Sequence, residues 1–371
     1  MRAFFMALSG ISSYQDFMNK YFLLSITTII SFIAPPALAQ MSDKEINDLK
    51  TIESTVSKRI EDRDDNNFLS VAIENDLFGG GTDEHYTNGG RITYFDVETP
   101  MPPVIDKLAD AIPTFDVNKT TSTYYTLGQN IYTPQDIETP ELQEDDRPYA
   151  GWLYGAVGLT SITKNHLDEL EFTLGVVGPV ALGEQAQKLV HTHVTNSPTP
   201  EGWDNQLKNE VGAIISARRR WPTWYTQNIG PLRLRVEPDV NISLGNVYTY
   251  AGTGATVTIG PYGDRIQDTP TRVRPAMPGT GFFDTKDNSF SWFLFAGVDG
   301  RAIARNIFLD GNTFRDSHSV DKKYFVADAN AGVAITYDDY RLSYTLNYRT
   351  KEFDGQEDGS LFGAVTASTR F

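Results

Sequence analysis

Side chains whose type and spacing could do chemistry gather in three places along this chain. The first is Glu74-Asn75-Asp76, followed by Gly79-Gly80-Gly81-Thr82-Asp83 and then Tyr86-Thr87-Asn88-Gly89. Carboxylate, amide and main-chain carbonyl oxygens are hard donors of the kind that hold Ca²⁺. The plainer explanation is a loop-start cluster, since Asn, Asp and Gly are ordinary turn residues. The second is His191, one of five histidines. An imidazole with an unperturbed pKa of about 6.5 suits a general base at neutral pH, and His85, His166, His193 and His318 compete for that role. The third is Asp145-Asp146-Arg147-Pro148-Tyr149-Ala150-Gly151-Trp152. Arg147 could bind a phosphate or carboxylate of a substrate, or pair with its Asp neighbours to organise the loop, with Tyr149 and Trp152 as interface anchors.

Other chemistries are excluded. There is no Cys, hence no disulfide framework, thiol nucleophile or thiolate metal site. Gly-x-Ser-x-Gly, phosphate-loop and His-Glu-x-x-His patterns are absent. With 48 Asp+Glu against 32 Lys+Arg and a net charge of -16, the chain lacks the basic footprint of a nucleic-acid binder.

The elements that must position these residues are strands. Residues 1–39 read as a secretory signal: Lys20 precedes an apolar run from Phe22 to Ile33, and Ala37-Leu38-Ala39 fits the cleavage pattern before Gln40. Residues 40–67 form a polar extension with a weak helical pattern, either a periplasmic lead-in or a plug-like one. From Phe68 to Phe371 short alternating segments are separated by Gly, Asn, Asp and Pro, the signature of a transmembrane β-barrel. In 232–244, Leu232, Leu234, Val236, Val240, Ile242 and Leu244 share one parity, and charged or polar residues share the other. Leu342, Tyr344, Leu346 and Tyr348 alternate in the same way with Ser343, Thr345, Asn347 and Arg349. A soluble sandwich also alternates. The signal segment, the 18 Tyr and 21 Phe available for aromatic girdles, the terminal Phe371 and the lack of Cys favour an all-β transmembrane antiparallel barrel at 68–371 in a Gram-negative outer membrane.

Twelve strands are expected, near 68–76, 88–96, 122–133, 150–160, 167–177, 208–218, 231–244, 247–260, 289–302, 322–336, 340–349 and 361–371. An even number returns both ends to the periplasm and puts the candidate residues at the outer rim. Two connections fit badly: 97–121 and 261–288 are long, yet parity makes them periplasmic. Parity also sends Leu69, Val71, Ile73 and Asn75 toward lipid and Asp76 toward the lumen. The outer connection 178–207 contains a helical stretch, 182–194, with Leu182, Ala186, Leu189, Val190 and Val194 on one face and Gln187, Lys188 and His191 on a polar flank. Such a helix would cover the mouth or lie along the wall.

Several of these motifs in register resemble the outer-membrane lipid A 3′-O-deacylase (LpxR-like) family. They are Glu74-Asn75-Asp76, Tyr86-Thr87-Asn88-Gly89, Leu127-Gly128-Gln129-Asn130-Ile131-Tyr132-Thr133-Pro134, Asp146-Arg147-Pro148-Tyr149-Ala150-Gly151-Trp152, Gly175-Val176-Val177-Gly178-Pro179, Gln187 with His191, and Gly202-Trp203-Asp204-Asn205-Gln206-Leu207. The resemblance implies a twelve-stranded barrel that hydrolyses the ester holding the 3′-acyloxyacyl group of lipid A with a divalent cation, Ca²⁺ above all. It carries active-site positions onto Asn75, Asp76, Thr87 and His191, with His191 activating water and Asp76 holding the metal beside Asn75 and Thr87. The chain departs from the family pattern where a Lys is expected, at Ile137-Glu138-Thr139, and where a Glu should follow the His, at Asn196-Ser197. The nearby loop carries Glu138, Glu141, Glu144, Asp145 and Asp146 instead, an acidic rim that repels lipid A phosphates unless cations bridge them.

The expected partners are lipopolysaccharide and other outer-membrane lipids, with the chain acting as a monomer. Two alternatives remain at this level. One is a passive barrel, a narrow channel or a structural protein. The other is a Ser-His phospholipase, for which Ser197 is the only Ser that stands out beside His191.

Overall fold

The computed structural model of the chain describes residues 52–62, 67–79, 86–96, 102–110, 112, 114–195, 197–261, 267–284 and 289–371. The signal expected at 1–39 and the start of the extension 40–67 lie outside the described residues. The later part of that extension forms helix α1 (Ile52–Asp62).

The wall runs through β1 (Phe68–Asn75), β2 (Tyr86–Asp96), β3 (Ser122–Tyr132), β4 (Ala150–Thr163), β5 (His166–Val177), β6 (Glu210–Arg220), β7 (Tyr225–Ile229), β8 (Leu232–Gly245), β9 (Tyr248–Gly260), β10 (Phe290–Asn306), β11 (Phe325–Tyr337), β12 (Tyr340–Arg349) and β13 (Ser360–Arg370). Sequential neighbours pair antiparallel except β6 and β7, β1 pairs with β13, and β6 pairs with β8 from Ile214↔Gly245 to Arg220↔Asp239, which closes the sheet. The barrel therefore has twelve wall strands, all of them expected from sequence. The additional β7 continues β6 after an interruption at Trp221–Trp224 and pairs with the lower part of β8. Closure satisfies backbone N–H and C=O groups inside the ladder, which a hydrocarbon environment requires.

Side chains partition by parity. On β12 the buried set is Arg341, Ser343, Thr345, Asn347 and Arg349, and the exposed set is Tyr340, Leu342, Tyr344, Leu346 and Tyr348. A water-soluble sheet would bury the second set, so the reversal identifies the exterior as lipid-facing. Exposed aromatics collect at both ends of the wall. Phe290, Tyr337, Tyr340 and Phe371 lie at the end where β1 begins and β13 ends, and Phe78, Tyr324 and Phe325 at the other.

The inner face is charged and filled. Asp328 on β11 accepts from Arg301 at 2.7 Å, Arg349 at 2.9 Å, and Arg272 and Arg274 at 3.0 Å each. Arg91 on β2 pairs with Glu171 on β5 at 2.9 Å. Arg220 on β6 pairs with Asp268 at 2.8 Å and Glu169 at 3.2 Å.

Both badly fitting connections are real elaborations of the periplasmic rim. The stretch 97–121 carries helix α2 (Pro103–Asp110), and its Ile105, Ala109, Ile112 and Phe115 pack on Leu159, Leu170, Phe172 and Ala217 of the outer wall. The connection between β9 and β10 turns inward, so that residues 267–284 lie within the barrel. There Arg272 and Arg274 join the Asp328 cluster, Ala276 accepts from the Tyr250 hydroxyl at 2.8 Å, and Gly281 accepts from Arg341. The cavity left between this segment and the wall is about 50 Å³, lined by Arg218, Arg220, Asp239, Arg272 and Arg274 among others. That is room for a few waters. The lead-in helix α1 has a separate place: Val56, with Ile52 and Ile60, packs on Ile162 and Leu167 by the β4–β5 turn, where the Glu53 N–H donates to the Lys164 carbonyl at 3.2 Å.

This packing predicts a barrel that does not conduct, checked by single-channel recording in planar bilayers. Asp328→Asn leaves several buried guanidiniums short of a counter-charge. It should lower stability by about 3–5 kcal/mol, read from the urea midpoint, and release the inward segment as intermittent conductance.

Candidate active site

The ladder places a row of residues at one level of the outer rim. Gly363 of β13 opposes Asn75 of β1, Asn75 opposes Asn88 of β2, Asn88 opposes Ile131 of β3, and Ile131 opposes Gly151 of β4. All share the parity of the exposed Ile73, Ile92 and Leu127, so the row belongs to the lipid-facing side. Asn75 is nonetheless only 6% exposed. A 3-10 turn, Asp76–Phe78, follows β1 and leans over the outside of β13, where Phe78 meets Gly363 and its carbonyl accepts from the Tyr344 hydroxyl at 2.6 Å. Asn75 caps that turn, its Oδ1 accepting the Leu77 N–H at 2.9 Å, and one Asp76 carboxylate oxygen accepts from the same N–H at 2.9 Å. Capping fixes the Asn75 amide with its NH₂ turned away from the turn.

On β2 the pairing with β3 slips between Tyr86 and Asn88, so Thr87 is the extra residue of a bulge beside Asn88. Bulges commonly re-aim a side chain next to a site. The Thr87 side chain itself, and the expected donor loop from Gly80 through Asp83, lie outside the described residues.

The outer connection after β5 supplies the rest. Helix α3 (Gly183–Val190) lies along the wall rather than across the mouth. It begins against β4: a Cβ built on Gly151 would stand 3.1 Å from the Gly183 nitrogen and 3.2 Å from the Ala181 Cβ. One turn later Ala186 packs on the cluster of Ile131, Tyr149 and Trp203. The helix thus starts over β4 and crosses β3 on the outside of the wall, and its eight residues span about 12 Å.

The buried stripe of α3 is Gly183, Gln187 and His191, while Leu182 and Leu189 are exposed. A helix on a soluble protein turns its apolar side inward; here the apolar side meets lipid and the polar flank meets the wall. His191 is 4% exposed and starts a π-helical turn, His191–Thr195. Its Nδ1 lies 2.6 Å from the Pro198 carbonyl, which can only accept, so Nδ1 is the donor. The neutral ring then carries its lone pair on Nε2, the tautomer that a general base needs. Among the competitors, His193 is exposed, His166 sits 3.5 Å from Asp168, and His318 donates to the Asp146 carbonyl at 2.7 Å. His85 lies outside the described residues.

Gln187 was visible in the sequence only as a companion of His191, four residues before it. Its Oε1 accepts from the Trp203 indole at 2.8 Å, while its buried Nε2 has no hydrogen-bond partner among the described residues. A buried unsatisfied donor is costly, and this one sits on the stripe that faces the wall.

Arg147 belongs elsewhere. It is fully buried over the mouth, 3.3 Å from Glu352, with its guanidinium 5.3 Å from the Tyr132 ring centre and 5.7 Å from that of Phe353. Tyr132 has inward parity, so Arg147 lies on the lumen side of the wall. There its guanidinium pairs with Glu352 rather than with its Asp neighbours.

A cation fits this rim only in part. Among the described residues, no three His, Asp or Glu side chains converge on one point. Asp76 supplies a single buried carboxylate, and Ca²⁺ takes six to eight oxygens. Asp76 therefore suits an open site completed by main-chain carbonyls, water and substrate oxygens.

The model of the family described as outer membrane protein LpxR matches residues 23–371. Among solved structures the chain is similar to LpxR from Salmonella typhimurium, with 22% identity over 82% of this chain and 100% of that one, at a TM-score of 0.66. It is similar more distantly to the translocator domain of autotransporter NalP from Neisseria meningitidis, with 10% identity over 85% of this chain and 92% of that one, at a TM-score of 0.35. No curated protein matches the chain.

Two outcomes are expected. Gly183→Val drives a side chain into the Trp203 ring, which lies 2.7 Å from where a Cβ on residue 183 would stand, and into Gly151. It should lift α3 and cut lipid hydrolysis at least tenfold while the barrel still folds, judged by heat-modifiable gel mobility. At the mouth, burial opposes ionisation of Glu352, but Arg349 and Arg147 outweigh it and hold the carboxyl below the usual range. Its contribution to stability is thus present above the unfolded value of about 4.3 and lost as pH falls through the lower folded value. The urea midpoint of Glu352→Gln should lie below wild type at pH 7, and the gap should shrink below about pH 4.

Proposed function

The chain belongs to the LpxR family of outer-membrane lipid A deacylases, and on that premise we propose that it removes the ester-linked 3′-acyloxyacyl group from lipid A by water attack, with His191 as general base. The observation that carries this reading is the side of the wall on which the polar row lies. Asn75 and Asn88 lie on the lipid-facing side of the wall, Gln187 and His191 lie on the buried flank of the helix packed against that side, and the lumen behind the wall is filled. Polar groups on a lipid-facing surface are costly unless a polar substrate meets them there. A solute in the lumen could not reach them; a lipid diffusing in the outer leaflet could.

The roles follow from the groups. His191 Nε2 takes a proton from the attacking water as the new C–O bond forms, and returns it to the sugar oxygen as the ester bond breaks. The products are a free acyloxyacyl acid and a hydroxyl at the 3′ position. Gln187 Nε2 offers an N–H to the developing oxyanion, and so satisfies its own buried donor. Asn75 and Thr87 orient the ester beside it. A divalent cation held at Asp76, Ca²⁺ by the choice of oxygen donors, would supply further positive charge to that oxyanion. Leu182 and Leu189 on the outer side of α3 lie where acyl chains pass.

Expression in an outer membrane followed by mass spectrometry of lipid A tests the proposal. Loss of one acyloxyacyl mass is expected, abolished by chelator and restored by Ca²⁺. His191→Ala should lower the rate by about 10²–10⁴-fold with the barrel folded; full activity in that variant rules out the base. Gln187→Leu should reduce kcat more than KM, since the donor acts on the oxyanion rather than on the ground state.

A further inference from the structure

A second row lies behind the first, on the inner face of the same strands. Ladder partners set Ala364 of β13, Glu74 of β1, Gly89 of β2 and Asn130 of β3 side by side. Each is the chain neighbour of an outer-row residue: Gly363, Asn75, Asn88 and Ile131. Ala364 and Gly89 offer almost no side chain, so a gap remains between Glu74 and Asn130. The inward segment fills it with Val273, which is fully buried.

Val273 uses its main chain as a clamp. Its N–H donates to Glu74 Oε1 at 2.9 Å, and its carbonyl accepts from Asn130 Nδ2 at 3.1 Å. Two residues further along β2 from Gly89, Arg91 donates to the Met277 carbonyl at 3.2 Å and the Gly279 carbonyl at 3.4 Å. Three of the strands that carry the outer row, β1, β2 and β3, are thus tied to one segment from the far side of the wall.

Stability is a poor reason for Glu74. It is wholly buried, its nearest guanidinium nitrogen is Arg272 Nε at 3.9 Å, and its Oε2 has no hydrogen-bond partner among the described residues. An apolar residue would avoid that desolvation cost. What the carboxylate uniquely provides is an acceptor for the Val273 N–H, one residue before Asn75 and two before Asp76, where β1 ends. Misplacement of reacting groups by about 1 Å can cost on the order of 10²-fold in rate.

We infer that Glu74 and Asn130 are positioning residues, which with the main chain of Val273 form a through-wall brace that holds Asn75, Asp76 and the strand beneath α3 in register for the reaction. The brace rests on the hydrolase reading above. The segment that closes the lumen and the geometry of the lipid-facing site are then one device, and a barrel emptied of this segment would keep its strands but lose its rate.

The test uses the full-length protein in outer-membrane vesicles. Glu74→Gln keeps an acceptor oxygen for Val273; Glu74→Leu removes it. Glu74→Leu should lower kcat at least tenfold with KM for lipid A within about twofold, and Glu74→Gln should stay within about threefold of wild type. Equal loss in both variants would mean that the charge itself is required, and unchanged kcat in a folded Glu74→Leu barrel would mean that the contact is idle; either overturns the brace. Asn130→Ala carries the same kcat test if Glu74→Leu does not fold. Amide hydrogen exchange over 72–78 and 270–276 gives a readout free of activity: both peptides should exchange several-fold faster in Asn130→Ala and Glu74→Leu, and unchanged exchange overturns the proposal. A wild-type chain that cleaves no lipid ester would refute the hydrolase reading, while the exchange result would still decide the brace.

Discussion

Hydrocarbon offers no partner to a peptide N–H or C=O, and the rest of this structure depends on that constraint. It forces the strands into a closed ladder, completed between β6 and β8. The two-residue period of the ladder then dictates where charge can go. Lysine, arginine and carboxylate side chains within the span have only the inner face available, so the interior becomes a set of interlocked ion pairs centred on Asp328. Those pairs are valuable less for net attraction than for what their loss would leave behind, a buried charge with no partner. The segment that enters between β9 and β10 joins the network through Arg272 and Arg274, and the cavity beside it is small.

The same period makes a polar residue on the outside an exception. Asn75 and Asn88 break the apolar pattern of their strands at one level, and α3 packs on the same side of the wall, over β4 and β3, with its own polar stripe turned inward. The close approach of helix to wall depends on two glycines meeting, Gly151 and Gly183, with the Trp203 ring tilted 52° against Tyr149 at 5.0 Å to hold the start of the helix down. Stripe and wall shield each other from hydrocarbon, and the leucines beyond face it.

Much of this was legible in the sequence, for reasons that differ by element. Every wall strand was visible because alternation is imposed locally by the pleat, as in Leu342 to Arg349. The rim residues Asn75, Asp76 and His191 were visible as motifs in register. The helix at 182–194 was visible by its period, but not which side faced the protein, because that depends on whether water or lipid lies beyond it. Residues 267–284 have no period at all. Residues 268–276, which contain their Pro-Thr-Arg-Val-Arg-Pro stretch, take their shape from partners on five strands, so the only local sign was a periplasmic connection too long for its place. The Arg147–Glu352 pair was hidden because its two partners lie 205 residues apart. The pairing of Gly151 with Gly183 was likewise hidden, since a glycine declares freedom of approach but not what approaches.

A helix laid along the wall rather than over the mouth changes the dimensionality of the encounter. A reactant that reaches α3 from within the leaflet arrives by lateral diffusion, so the quantity that governs occupancy is surface density, not bulk molarity. Diluting the bilayer with inert amphiphile at constant total lipid A would then slow turnover, while adding more vesicles of the same composition would not quicken it. Leaflet asymmetry enters as well: molecules in the opposite leaflet are excluded by position alone, whatever their chemistry. The orientation of one short helix thereby sets the units in which this barrel measures its surroundings.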